Sequence, residues 1–135
     1  MGVSADSPVV LFVCIQNAGR SQMAEALFNA HAGGRAVARS AGSRPAPAVH
    51  PEVIEVMREL GIELSGVQPR SVDEVAPAGA DVVVTMGCGD ECPFIPGARV
   101  VDWELADPAG LRVDEVRAIR DEIARRVDSL LDELG

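Results

Sequence analysis

Positive charge is scarce in this 135-residue chain: twelve basic residues stand against twenty-one acidic ones, for a net charge of -9. That balance argues against nucleic acid or an anionic membrane surface as a main partner, and an anionic ligand has to be captured by local geometry, not by the overall field. Cysteine is scarce too. Three residues do not make a disulfide scaffold, so each has to be explained by reactivity, metal binding or packing. No apolar run reaches the about 18 residues of a membrane span. Met1 to Pro8 is short and polar, without the basic start and apolar stretch of a secretion signal, so a cytoplasmic protein is expected. Apolar residues make up 47% of the chain and are spread along it, as in a globular protein. The length suits one domain over residues 1–135 and is too short for two. No internal repeat, linker or low-complexity segment interrupts it.

Val9 to Val13 is short, continuous and β-branched, the pattern of a strand buried on both faces. From Ser21 to His31, residues Met23, Ala24, Leu27 and Phe28 recur at helical spacing, and Gly33-Gly34 ends the run. Ala36 to Ser40 is a second strand, weakened by Arg35 and Arg39. Ser43 to Pro51 holds three prolines and reads as a loop. Pro51 opens a helix with Val53, Ile54, Val56, Met57 and Leu60 on its buried side and Gly61 as its stop. Asp81 to Thr85 is a strand that leads into a Gly-rich loop, Met86 to Pro93, expected to be mobile. Arg99 to Trp103 is a short strand, and Asp107 to Gly110 is a loop. From Val113, residues Val116, Ile119, Ile123, Val127, Leu130 and Leu134 mark a long amphipathic helix. Strands alternating with helices predict an α/β domain with a parallel sheet covered on both faces. Ligands bind outside the carboxyl ends of such strands. The loops carrying Cys14, Cys88 and Asp107 are therefore expected to meet at one edge.

The first strand delivers Cys14, five residues pass, and Arg20-Ser21 opens a helix. A strand, tight loop and helix in this order gather backbone N–H groups around one point, where the helix dipole also favours negative charge. Ile15, Gln16, Asn17, Ala18 and Gly19 would supply those groups, and Arg20 a planar fork for two oxygens of a tetrahedral anion. The same field favours a Cys14 thiolate, and hence a nucleophile at neutral pH. Ser21 could steady that thiolate through its hydroxyl, and Asn17 could brace the loop by bonding its backbone. An isolated cysteine would read as a core residue; the ordered context favours the reactive reading.

Cys88 and Cys92 are four positions apart and face the same way if the segment forms one turn. The pair suits thiol-disulfide exchange, inert packing, or a metal site that would need two further ligands. Neither His31 nor His50 lies in a metal-binding spacing, and both read as surface or capping residues. Asp107 begins a turn with Pro108, and near a thiolate its carboxyl would also serve as a general acid. Trp103 reads as a core or loop anchor.

Taken together, Val-Leu-Phe-Val-Cys14, Arg20-Ser21-Gln22-Met23-Ala24-Glu25-Ala26, Arg39-Ser40-Ala41-Gly42, Val83-Val84-Thr85-Met86, Cys92-Pro93, Trp103, Asp107-Pro108-Ala109-Gly110 and Val116 to Ile123 resemble the arsenate reductases built on the low-molecular-weight protein tyrosine phosphatase fold. The resemblance runs nearly the whole length and implies four parallel strands flanked by helices in three layers. It implies that Cys14 attacks arsenate held by the loop and Arg20 while Asp107 protonates the departing oxygen. Cys88 would attack Cys14, releasing arsenite, and Cys92 would move the disulfide to Cys88 and Cys92. Thioredoxin, or a small-thiol system such as mycothiol or glutathione with a glutaredoxin, would reduce that disulfide. No metal or resident cofactor is implied.

The chain departs from the family loop at Gln16, where glycine is usual and tolerates backbone angles that glutamine dislikes. A phosphatase shares the Cys14, Arg20 and Asp107 chemistry. Phosphatases, however, carry a Tyr after Asp-Pro to wall the ring slot, and this chain has Ala109 there and no Tyr anywhere. A phosphatase also has no need for Cys88 or Cys92. A third reading is a non-catalytic oxyanion or thiol-redox sensor, which would keep the cradle without turnover.

Overall fold

The computed structural model describes residues 7–88 and 92–135. Four strands, β1 (Val9–Cys14), β2 (Val37–Gly42), β3 (Val82–Thr85) and β4 (Arg99–Asp102), form one sheet in the order β2-β1-β3-β4. Every pairing is parallel, with Val9 opposite Val37, Val10 opposite Val82, and Val82 opposite Arg99. The central position of β1 explains its uninterrupted apolar sequence, because neither face reaches water. Val10, Phe12 and Cys14 face one layer and Leu11 and Val13 the other.

The first layer is the larger. It contains helices α1 (Arg20–Ala32), α2 (Pro51–Arg58) and α4 (Val113–Leu134), with Met23, Leu27, Phe28, Val53, Met57, Ile123 and Val127 packed on the sheet. Phe12 sits between Phe28 and Trp103, at ring-centroid distances of 5.9 and 5.5 Å, which makes Trp103 a core anchor. The opposite face is covered by Val75, Cys88 and Ile95, near a short helix α3 (Val72–Val75) and a 3-10 turn over Ala76–Ala78. The sequence reading had no element here. Its signal was a capping box: Ser71 Oγ accepts from Glu74 N–H while the Glu74 carboxylate accepts from Ser71 N–H.

Most boundaries lie within two residues of the expected ones. Gly33 closes α1 in the left-handed conformation. After α2, Gly61 N–H donates to Arg58 O and Ile62 N–H to Met57 O, a Schellman closure with Gly61 at φ 77. Leu60 is a correction: it was expected on the buried side but is 48% exposed, because α2 ends at Arg58, before Leu60. His50 precedes α2 as its N-cap residue, and exposed His31 pairs with Asp128. Among the described residues, no helix is long and apolar enough to cross a membrane.

All twelve basic residues are arginines, and two of them tie α2 to α4. Glu59 accepts a two-pronged bond from Arg117, at 2.9 and 2.7 Å, and a third bond from Arg120 at 2.8 Å. These bonds hold its carboxyl at about 2, down from 4.5. A depressed carboxylate stabilises the fold in full above its ordinary value and loses that contribution as pH falls toward 2. Glu59→Gln should therefore lower the melting temperature slightly at neutral pH, since the site is exposed and screened. The gap from wild type should close between pH 4.5 and about 2; a gap that ignored pH would contradict the assignment.

Candidate active site

β1 ends in Cys14, which is 2% exposed, and α1 begins six residues later at Arg20. The connecting loop is fixed from outside by the proline-rich segment after β2. The carbonyls of Cys14, Ile15, Gln16 and Ala18 accept from the N–H groups of Ser43, Arg44, Ala46 and His50, at 2.7 to 3.1 Å. In a trans peptide the following N–H points opposite to its carbonyl, so the N–H groups of Ile15, Gln16, Asn17 and Gly19 turn to the other side. Three prolines stiffen the outer segment. Gly42 lets it approach, since a Cβ there would lie 2.6 Å from Ile15 O and 2.9 Å from Asn17 N. Gly42→Ala should accordingly cost about 1–3 kcal/mol by overpacking. Urea unfolding measures that cost, and an unchanged midpoint would show that the contact is dispensable.

The loop's left-handed residue is Asn17, with φ 52, and not Gln16. Asparagine tolerates that conformation well, so glutamine at position 16 is accommodated and its side chain is exposed. Asn17 braces the loop differently from the sequence expectation. Its side chain bonds no backbone group within the loop. Nδ2 donates to Ser21 Oγ at 2.8 Å and Ser40 Oγ at 2.9 Å, while Oδ1 accepts from Gln22 Nε2 at 3.0 Å and Arg70 N–H at 2.9 Å. Ser21 Oγ lies 2.8 Å from Cys14 Sγ. Ser40, Gln22 and Arg70 were not singled out from the sequence as site residues; Gln22, polar yet 1% exposed inside an apolar helix face, was the available signal. Arg70 also bonds Glu25 at 2.7 Å. Burial pushes the Glu25 carboxyl up, and Arg70 and Ser40 pull it back.

The N-terminus of α1 has Gly19 at its cap with no side-chain capping bond and no acidic residue in its first turn, which leaves the positive end of the helix for an anion. The Arg20 side chain is 7% exposed, and its Nη2 is 3.6 Å from Asp107 Oδ2. Nη1 donates to Leu105 O at 3.3 Å. Asp107 is half-exposed and aims itself by accepting the Ala109 N–H at 3.0 Å through its other oxygen. Pro108 is buried against Gly19, where a Cβ would lie 2.5 Å from Pro108 Cγ. Gly87, at φ +91, packs on the guanidinium, where a Cβ would lie 2.8 Å from Arg20 Nη1. Gly87→Ala should shift Arg20 and weaken binding of an oxyanion such as phosphate, an effect read directly by calorimetric titration.

Beyond Gly87, Cys88 is joined to Cys92 by a disulfide with a Cα separation of 5.2 Å. The expected mobile loop falls partly on residues 89–91, outside the described residues. Cys88 Sγ lies 4.0 Å from the carbonyl oxygen of Val13, the residue before Cys14, while Cys14 itself is free. Among the described residues, no three His, Cys, Asp or Glu side chains gather as metal ligands. A cleft of about 340 Å³ between β4 and α4 is lined by Arg99, Arg125 and Arg126, but each is ion-paired, the first with Glu133 and the other two with Glu122. The parallel strands thus bring Cys14, Arg20, Ser21 and Asp107 together at one edge, with Cys88 beside the end of β1.

Residues 9–135 match the low molecular weight phosphotyrosine protein phosphatases. The chain belongs to that family. Within it, this phosphatase-fold chain is similar to a thioredoxin-dependent arsenate reductase of Corynebacterium glutamicum, with 43% identity and a TM-score of 0.78 over 95% of its length. It spans 61% of that longer protein. It is similar to an arsenate reductase of Archaeoglobus fulgidus at 40% identity and TM-score 0.80, covering 91% of this chain and 98% of that one. A glutaredoxin arsenate reductase of Synechocystis shares 34% identity over 90% of this chain and 95% of its own.

Proposed function

We propose that this chain is an arsenate reductase that leaves two oxidising equivalents in its own cysteines. The observation that carries the proposal is the Cys88–Cys92 disulfide beside a cysteine-arginine oxyanion loop whose Cys14 is free. Ester hydrolysis needs the loop and has no use for the disulfide. The names of the relatives support the same reading.

Arsenate would sit on the N–H groups of Ile15, Gln16, Asn17, Ala18 and Gly19 and on the Arg20 fork. The Cys14 thiolate attacks arsenic, and an oxygen leaves as water with a proton from Asp107. The Cys88 thiolate then attacks Cys14 Sγ. The sulfur-arsenic bond breaks, its electron pair stays on arsenic, and arsenite departs as the Cys14–Cys88 bond forms. Cys92 attacks Cys88 Sγ and frees the Cys14 thiolate, which leaves the disulfide seen here. An external dithiol of the thioredoxin class returns two electrons to it, and a glutaredoxin-linked small thiol is the alternative donor. Such donors suit a cytoplasmic protein.

The phosphatase reading is weaker, because Ala109 follows Asp107-Pro108 and no Tyr is available to wall an aryl slot. Weak hydrolysis of aryl phosphates is expected as a side activity. The test is arsenate-dependent NADPH consumption with thioredoxin and its reductase, then with glutathione or mycothiol and a glutaredoxin. Sustained consumption with one of these donors is expected. Aryl phosphate turnover far faster than arsenate reduction, unaltered in Cys88→Ser, would overturn the proposal.

A further inference from the structure

The Asn17 amide has two ends, and its surroundings favour one orientation. The backbone N–H of Arg70, 2.9 Å away, only donates, so the atom facing it is Oδ1. Nδ2 therefore faces Ser21 Oγ and Ser40 Oγ and donates to both. Gln22 reaches the same Oδ1 at 3.0 Å and has to present its own nitrogen. Ser21 Oγ receives a hydrogen from Asn17, and its single hydroxyl hydrogen is left for Cys14 Sγ at 2.8 Å.

We infer that Gln22 is a positioning residue that locks the Asn17 amide so that Ser21 donates its hydrogen to the Cys14 sulfur. The competing arrangement turns the Asn17 amide over. Ser21 and Ser40 would then donate to Oδ1, and Cys14 would lose its donor. Two donors on Oδ1, Gln22 Nε2 and Arg70 N–H, oppose that flip, and only the first is a side chain that evolution or an experimenter can remove. Gln22 is 1% exposed, so no water replaces it. The inference rests on Cys14 being the nucleophile, but it concerns the sulfur's hydrogen bond and not the fate of arsenate.

The test uses the full chain with Cys88→Ser and Cys92→Ser, in which Cys14 is the sole thiol. The rate of its alkylation by iodoacetamide at neutral pH and its ultraviolet thiolate absorbance are the readouts, and neither involves arsenate. Ser21→Ala removes a charge-assisted hydrogen bond and should slow alkylation by about tenfold or more. Gln22→Met, of similar length without a donor, should slow it several-fold where Ser21 is present and leave it unchanged in the Ser21→Ala background. Equal slowing in both backgrounds, or none in either, overturns the inference. Should Gln22→Met fail to fold by circular dichroism, Gln22→Glu goes through the same cycle. Its direct charge effect persists without Ser21 and cancels, leaving only the part transmitted through the hydroxyl. Coupling in this background with no arsenate reduction by the wild-type chain would sink the reductase proposal alone, and wild-type reduction without coupling would sink this inference alone.

Discussion

Cys92→Ser should release a single arsenite per chain and then stop. The first attack, by Cys14, and the second, by Cys88, do not involve Cys92, so arsenic leaves on schedule. The chain is then held as a Cys14–Cys88 disulfide with no internal thiol to open it. Rapid-quench measurement of arsenite against enzyme gives the stoichiometry, and mass spectrometry of the non-reduced digest finds the peptide that joins the two cysteines. Cys88→Ser should stall one step earlier, with arsenic still on Cys14 and no arsenite released. Burial favours this order. Cys88 is 5% exposed among Leu11, Val13, Val83 and Ile95, and Cys92 is half-buried, so an external thiol meets Cys92 more readily. Many turnovers by Cys92→Ser with thioredoxin as sole donor would refute the relay.

Arg20→Ala should lower kcat by at least about 10²–10³-fold, the usual loss for one oxyanion donor in a water-poor site. It should also weaken arsenate binding, because the net charge of -9 gives the anion no overall attraction and, among the described residues, the Arg20 guanidinium is the cation paired with Asp107 in the site. Arg20→Lys should recover little. A lysine ammonium is a point charge and cannot span two oxygens while also bonding Leu105 O as Arg20 does at 3.3 Å. Steady-state kinetics with arsenate as the varied substrate separates the two effects. Rescue by lysine to near wild-type kcat would mean that charge alone matters and that the fork is idle.

Much of this site is local in sequence, and that part was legible. Cys14, Arg20 and Ser21 lie within one strand-loop-helix unit, where the apolar run, the short spacing and the helical period define the geometry. Cys88 and Asp107 follow strands, and a parallel sheet sends the ends of such strands to one edge. The contacts made at long range were not legible. Nothing in the Pro-rich stretch 43–50 shows that its N–H groups hold the loop's carbonyls, because the match depends on β2 lying beside β1 in register. Arg70 reaches Asn17 across 53 positions, and no periodicity marks it. Leu60 failed for a related reason: its place in the helical pattern was sound, but the helix ended before it could use that place.

By itself the sequence determined the type of every element but α3 and the 3-10 turn, together with the chemical inventory of the site, because these depend on periodicity, on turn residues and on which side chains exist. Tertiary structure decided the rest: which residue of the loop turns left-handed, which way the Asn17 amide faces, and how Arg20 is wedged between Gly87, Leu105 and Asp107. Those outcomes depend on hydrogen bonds and close contacts between segments far apart in the chain. A one-dimensional pattern carries no information about them until the sheet has set the strands side by side.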